Sequence, residues 1–415
     1  AAMRTETWRD SFTEQSRAYG HLQIDAWDFF GAGDSIALVG VEYVTFDYEN
    51  LYDPRSEAGE VGGSAGWSNG GDRDVGTVFF EYLLPVTAGT EISLAGRYDH
   101  YSDFGGTFTP SVGIVSNLTD TLTVRARWGE GFVAPDMDEL YGPSLSGRSV
   151  IYDPVLDADY PADTYSFANE ELEPETSTSI SLGFNWEFLD GHSIDVTYYD
   201  IDIENVIVFP SPQDLLWADA AGEVWDPDGT RVVRSGDLVR EIYSYGTNAN
   251  RLEATGIDVL LSSSFDTGVG LFSLSAFYSK QLSFRENAFY KGSYQDTRNF
   301  PGQPDTRAQL GINWGLGDHA VNLVASYIGR HAVDEEQDPA TGVIYTLDEQ
   351  WDSWITANLS YAYDAGDFGR IRLGANNVTD EDPPLDPTQG VPGTLYLYDY
   401  VGRVVFVEYS KAFDW

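Results

Sequence analysis

Ser179-Ile180-Ser181-Leu182-Gly183-Phe184-Asn185-Trp186-Glu187-Phe188 alternates apolar with polar residues along its whole length. Successive side chains of an extended chain project to opposite faces. Ile180, Leu182, Phe184, Trp186 and Phe188 therefore form one wall, and Ser181, Gly183, Asn185 and Glu187 form the other. The same split recurs where Ala308, Leu310, Ile312 and Trp314 alternate with Arg307, Gln309, Gly311 and Asn313. Val321, Leu323, Ala325 and Tyr327 repeat it, as do Ile355, Ala357, Leu359, Tyr361 and Tyr363. About fifteen such segments, each roughly 10 to 15 residues long, predict an all-β chain.

The polar wall carries charge. Arg125 and Arg127 alternate with Leu122, Val124, Ala126 and Trp128, and Arg370 and Arg372 with Ile371, Leu373 and Ala375. Charged residues on that wall suit a hydrated lumen and would be costly in a dry sandwich core. Aromatic residues often end the apolar face, as in a lipid-facing band flanked by girdles. Short turns fall at Phe30–Asp34, Pro85–Thr90, Asn117–Thr121, Leu189–His192, Asp266–Gly270, Gly315–His319 and Asp364–Phe368. Long connections alternate with them, at about 50–75, 133–176, 210–246, 288–304, 333–350 and 379–399, and only 102–106 is short on that side. Short turns on one rim and long loops on the other predict an antiparallel transmembrane β-barrel, with short periplasmic turns and long extracellular loops. The first strand is expected at about 16–30 and the last at about 400–415, so the first begins on the extracellular side. Plugged transporter barrels have about 22 strands, so about seven strands and a plug domain are expected outside residues 1–415. A cut in an extracellular loop is the expected reason for the start at Ala1.

Composition agrees with this architecture. The 26 Tyr, 11 Trp and 42 Gly against 2 Met favour strands over helices. No apolar run reaches the roughly 18 residues of a membrane helix, and no signal peptide is present in these residues. The absence of Cys excludes disulfides and thiolate metal sites. A net charge of −44 excludes nucleic acid as a partner. It reads as a solubilising acidic surface, with a cation-binding surface as the sharper alternative.

Several motifs follow in order. Trp128-Gly129-Glu130-Gly131-Phe132-Val133-Ala134-Pro135 leads to Glu139-Leu140-Tyr141, then come Asn169-Glu170-Glu171-Leu172-Glu173-Pro174-Glu175 and the strand Ser179–Gly183. Tyr198–Ile207, Asn248–Asp258 with Gly256-Ile257-Asp258, and Asn376–Asp380 before Asp382-Pro383-Pro384 complete the series. Together they resemble the G-x-G-F-x-A-P…E-L-Y, N-x-x-L-x-P-E and later strand motifs of TonB-dependent receptors, over about residues 75–415. The final segment, with Tyr409, Phe413 and Trp415, resembles the C-terminal signal read by the barrel-assembly machinery, although the family usually ends in Phe. The resemblance implies an N-terminal plug and strand segment, a TonB complex acting through that plug, and contact with outer-membrane lipid and lipopolysaccharide. It implies import of a scarce nutrient: a siderophore, oligosaccharide, cobalamin or peptide.

Ligand recognition is expected in the long loops, where Trp217, Trp225, Tyr160, Tyr152, Trp67, Tyr290 and Tyr294 offer flat faces for sugars or aromatic chelators. Loop self-packing is the plainer role for any one of them. Trp217 and Trp225 stand out because Asp226–Gly229 forms a turn beside them. Arg231, Arg234, Arg240 and Arg251 could form a basic patch there. Asp200, Asp202 and Glu204, like Asp157 and Asp159, alternate as a solvated face does. No nucleophile elbow, EF-hand or His-based metal motif occurs, so no catalytic residue, metal or cofactor is expected. The alternative is a structural or adhesive outer-membrane barrel without active transport. A passive porin fits less well, because the motif order and strand number argue against it.

Overall fold

The computed structural model describes residues 6–61, 66–220, 222, 229–287, 294–337, 344–385 and 397–413. Its main sheet contains fifteen consecutively paired strands: Arg9–Asp25, Ile36–Tyr52, Asn69–Thr87, Thr90–Tyr101, Gly105–Thr119, Leu122–Val133, Glu175–Leu189, His192–Val208, Thr247–Thr267, Gly270–Asn287, Thr306–Leu316, His319–Ile328, Trp354–Asp364, Arg370–Asn376 and Val404–Ser410. Each pairs antiparallel with the next, so the wall is an up-and-down meander. The short Tyr294–Asp296 strand adds to the Gly270–Asn287 strand above one loop. Among the described residues, Arg9–Asp25 and Val404–Ser410 pair on one side only.

The two faces divide as alternation predicts. Val39, Val41, Tyr43, Val78, Phe80, Leu182 and Trp186 lie exposed on the outer face. Paired residues share a face, so the register carries the polar set Arg125, Gly183, Thr197 and Asp258 across adjacent strands on the inner face. No helix among the described residues is long and apolar enough to cross a membrane. A membrane strand needs about 9–11 residues. Thr247–Thr267 has 21 and therefore projects well beyond the hydrocarbon.

Two strand boundaries differ from expectation. The first strand is Arg9–Asp25, because the polar run before Ser16 still pairs with Thr45–Tyr52. Trp27, Phe29 and Phe30 lie in the turn, where the Asp28 carboxylate accepts from the Phe30 and Ala32 amides at 3.2 and 3.0 Å. The last strand is shorter than 400–415, since its neighbour offers partners only from Arg370 to Asn376. Tyr409 is an exposed outer-face residue of this strand, Phe413 is exposed just beyond it, and Trp415 lies outside the described residues.

The apolar core of the described residues sits in the long loops, not in the wall. Leu145–Asp153 and Ala158–Phe167 form one hairpin, and Arg231–Ser235 and Leu238–Tyr245 form another. Glu241–Tyr245 pairs parallel with Asp163–Phe167, which joins the two hairpins into one four-stranded sheet. The helix Pro212–Ala220 covers one side of this sheet, burying Leu215 and Leu216 against Ile151, Ala162, Val239 and Ile242. Ser211 and Pro212 start that helix: the Asp214 amide donates to Ser211 Oγ at 3.2 Å, and Pro212 has no amide to leave unsatisfied.

Candidate functional site

The loop sheet presents an aromatic ladder on the side away from its helix. Parallel pairing sets Tyr243 beside Tyr165 and Tyr245 beside Phe167. The Tyr165 and Tyr243 rings stack at 4.9 Å between centroids, and Phe167 and Tyr245 at 4.7 Å. Phe167 lies 6.2 Å from Tyr243 with the planes 5° apart, so the four rings form one continuous surface. The Arg231 guanidinium sits 4.2 Å over the Tyr243 ring, and Arg148 pairs with Asp163 at 3.1 Å on the same face. Half-buried aromatic faces of this kind favour planar ligands; beside them Asp163 neutralises Arg148, and Glu241 accepts from the Tyr243 hydroxyl at 2.9 Å.

A buried ion cluster holds the ladder in place. Asp153 accepts from Arg234 Nη1 and Nη2 at 2.8 and 3.1 Å, from the Tyr160 hydroxyl at 2.5 Å and from the Val155 amide at 3.0 Å. Burial alone would raise its carboxyl pKa, but Arg234, Tyr160 and Val155 together hold it down at about 2. Arg234 Nε also donates to Asp219 at 2.9 Å, tying the helix to the sheet. The base of the unit is clasped by two asparagines. Asn169 donates to the Gly246 carbonyl at 2.9 Å, and Asn248 donates to the carbonyls of Glu173 and Asn205 at 2.7 and 2.8 Å. Motifs some eighty positions apart in sequence thus meet in one hydrogen-bonded joint at the rim.

The Gly129–Tyr141 motif is fastened to the inner wall beside it. Arg73 donates to the Pro135 carbonyl at 2.8 Å and to Asp103 at 2.7 Å, and the Tyr48 hydroxyl donates to Asp138 at 2.5 Å. Tyr141 lies flat over Gly71, where a Cβ would stand 2.5 Å from the ring. Below the rim the inner wall is polar and largely ion-paired, as in the bidentate Arg125–Asp195 contact at 2.8 and 2.6 Å.

The structure brings some of the sequence candidates together and separates others. Tyr152 and Trp217 meet, with centroids 5.6 Å apart, and Gln213 ties the Tyr152 backbone to the helix. Tyr160 belongs to the buried ion cluster, where its hydroxyl also accepts from the Val239 amide at 2.9 Å. Trp67 is exposed at the edge of the unit, its amide donating to the Ser144 carbonyl at 3.0 Å. Tyr294 packs between Arg251 and Arg285 on the outer wall. Trp225 and Tyr290 lie outside the described residues. The four arginines form no patch, because Arg234 is held by Asp153 and Asp219 and Arg251 by Asp202 and Glu253. Asp202 is thus an ion-pair partner, and Asp157 accepts from the Tyr152 hydroxyl in a turn at φ 51°. Among the described residues, no group of three or more His, Asp or Glu is placed to hold a metal.

Sequence reasoning missed the ladder. Its signal was Tyr165/Phe167 and Tyr243/Tyr245 at i and i+2 within long polar loops, but nothing local indicates a parallel pairing across the intervening strands.

Residues 2–378 match the model of a family described as TonB dependent receptor-like, β-barrel. The chain is 28% identical over 206 residues to the ferric enterobactin receptor PirA of Pseudomonas aeruginosa, covering 48% of this chain and 26% of that protein. It is 25% identical over 182 residues to a probable TonB-dependent siderophore receptor of Acinetobacter baumannii, covering 42% of this chain and 23% of that protein. Among solved structures, the A. baumannii siderophore receptor PirA matches with a TM-score of 0.68 at 18% identity, covering 96% of this chain and 54% of that one. A P. aeruginosa ferric enterobactin receptor variant, solved with enterobactin, matches at 0.70 and 17% identity, with coverage of 96% and 54%. The chain thus spans about half the length of these solved receptors.

Proposed function

This chain belongs to the TonB-dependent receptor β-barrel family of the bacterial outer membrane, and from that membership we propose that it is the wall and recognition-loop part of a ferric siderophore importer of the catecholate class. The observation that carries the reading is the ladder Tyr165–Tyr243–Phe167–Tyr245 with Arg231 on its face. A ferric catecholate presents flat aromatic rings that can stack on the ladder, and its negative charge would be met by the Arg231 guanidinium on the Tyr243 ring. The buried Asp153–Arg234 cluster supports it, because a rigid platform loses little entropy on binding.

In this reading the outer face of the wall contacts lipid and lipopolysaccharide, and the inner face lines the path. The one-sided pairing of the two terminal wall strands and the half-length match to solved receptors support further strands and a plug in the whole protein. Energy coupling through TonB would act on that plug. Exposed Tyr409 and Phe413 suit a signal for barrel assembly.

The test is binding of ferric enterobactin to the intact protein in detergent, read by quenching of intrinsic fluorescence, alongside radioiron uptake by cells. Saturable binding is expected, with Tyr243→Ala weaker by about tenfold, since an aromatic contact contributes about 0.5–1.5 kcal/mol beyond its buried area. No saturable binding and no energy-dependent uptake would leave a structural or adhesive barrel as the better account.

A further inference from the structure

His331 sits where three long loops meet the rim of the wall. It follows the strand His319–Ile328, and with Ala332 it pairs across its own loop with Gln350–Trp351. Its imidazole is fully buried. Tyr398, from the loop before the last strand, stacks on it at 6.0 Å between centroids, and Trp351 lies 6.5 Å away on a tilted plane. Trp354 meets Tyr398 edge-on at 5.5 Å, and its indole donates to the Asp382 carbonyl at 3.2 Å. The Ala332 amide donates to the Asn299 carbonyl at 2.7 Å, which brings in the loop that precedes Thr306–Leu316. One imidazole thus lies at the junction of three loop bases.

The protonation state of that imidazole decides whether the junction is stable. Nδ1 donates to the Gly329 carbonyl at 3.4 Å, while Nε2 is buried with no hydrogen-bond partner among the described residues. The Tyr398 hydroxyl is likewise buried without a partner, so it does not reach Nε2. A neutral ring leaves one bare lone pair there. An imidazolium would carry a proton that needs an acceptor and a charge that needs a counter-ion. Neither is at hand. Asp334, Glu336, Glu349, Asp352, Asp382 and Asp399, on the segments packed around the ring, are exposed. Asp305 is already matched, accepting from Lys280 at 2.5 Å, Thr306 at 2.7 Å and Asn299 at 3.0 Å. Among the cations, Arg330 pairs with Asp352 at 3.3 Å, Arg298 with Asp296 at 2.6 Å and Arg403 with Asp380 at 3.1 Å. Arg307 opposes a second positive charge. The ring faces return little, because a cation–π contact reaches about 6 Å and Trp351 lies beyond it. Burial therefore pushes the imidazole pKa below its ordinary 6.5, with the Gly329 carbonyl opposing the shift and Arg307 adding to it.

We infer that His331 is an acid-sensitive latch, which holds the three loop bases together while neutral and releases them when protonated. The inference does not depend on the siderophore reading. The other four of the 5 histidines, His21, His100, His192 and His319, lie in wall strands, so this is the one imidazole of the chain placed in the loops. Opened loops take up a proton at the ordinary 6.5 and the closed junction does not. Closure is therefore complete above about pH 7 and weakens by up to about tenfold per unit as pH falls below 6.5.

The experiment is hydrogen exchange of the intact protein in detergent between about pH 8 and 5, with rates corrected for the intrinsic pH dependence of exchange. Wild type, His331→Gln and His331→Phe are compared, and heat-modifiable mobility confirms a folded barrel. In wild type the Ala332, Val333, Asn299 and Gln303 amides, all hydrogen-bonded at the junction, should open about tenfold more often at pH 5.5 than at pH 7.5. Amides of Glu175–Leu189 should not change. Both variants lack the titrating group and should show no step in this window, His331→Phe with the ring packing retained. The same step in either variant would overturn the latch, and so would a flat wild-type profile. Where both variants are already open at pH 7.5, the wild-type window decides: a step starting near pH 6.5 upholds the latch, and one confined below about pH 5, in the carboxylate range, overturns it.

Discussion

Replacing Asp153 with Asn removes one charge from the buried cluster while preserving shape. Removing one partner of a buried ion pair costs about 3–5 kcal/mol when the other is left uncompensated. Here Arg234 keeps Asp219 at 2.9 Å, and its side chain is 21% exposed, so screening reduces the loss to about 2 kcal/mol. That is roughly a 30-fold increase in local opening of the loop sheet, with the wall unaffected. Hydrogen exchange of the intact protein checks it: amides of Arg231–Ser235 and Leu238–Tyr245 should exchange about 30-fold faster, and those of Glu175–Leu189 at an unchanged rate. The same cluster sets a pH dependence. The folded Asp153 pKa of about 2 lies below the ordinary carboxyl value of 3.8, so its contribution is complete above about pH 5 and is lost as pH falls through 4 towards 2. Wild-type protection of the loop sheet should decline over that window, and Asp153→Asn should show a smaller decline. Equal exchange in variant and wild type at neutral pH would refute the claim that this cluster holds the ladder.

Leu182→Arg places a charge on the lipid face and should cost about 2–4 kcal/mol in folding into lipid bilayers, whereas Gln309→Arg on the inner face should cost under about 1 kcal/mol. A urea midpoint shifted equally by both would mean that the faces are assigned wrongly. Gly71→Val drives a side chain into the Tyr141 ring and should destabilise the Met137–Tyr141 helix by about 1–3 kcal/mol. Adding Tyr141→Ala should relieve most of that loss, and exchange of the Leu140 amide reports both. Tyr409→Ser should lower the folded fraction recovered from outer membranes, seen as reduced heat-modifiable protein. Undiminished recovery would remove Tyr409 from the assembly signal.

The wall was legible in the sequence because a period of two has one consequence: every residue's face follows from its neighbour's. Ser179–Phe188, Ala308–Trp314 and Ile355–Tyr363 are all strands with the expected faces. Boundaries were harder. Trp27, Phe29 and Phe30 look like the apolar end of a strand, yet the Asp28 side chain turns the chain there. The loop unit was not legible, because its strands are short and its decisive contact is a parallel pairing between Ala158–Phe167 and Leu238–Tyr245. Aromatic residues were sought in the loops, but exposure could not be told from burial. Tyr160 reads like Tyr165 in sequence, and only the fold shows that its hydroxyl is enclosed by Asp153 and Val239. The arginines misled for a related reason: closeness in sequence suggested a patch, whereas carboxylates from distant segments neutralise two of them.

The joint between the two hairpins constrains how such a protein can change. Ile151 and Ala162 come from one loop, and Leu215, Leu216, Val239 and Ile242 from the other, so each loop holds half of a single apolar interior. A graft that replaced one loop alone would leave the retained half facing water and one strand edge without its mate. Under the proposed function, new ligand preference therefore arises most readily by point changes on the ladder face, or by transplanting both loops as a pair. Recombination within the intervening strands Glu175–Leu189 and His192–Val208 would break that pair apart.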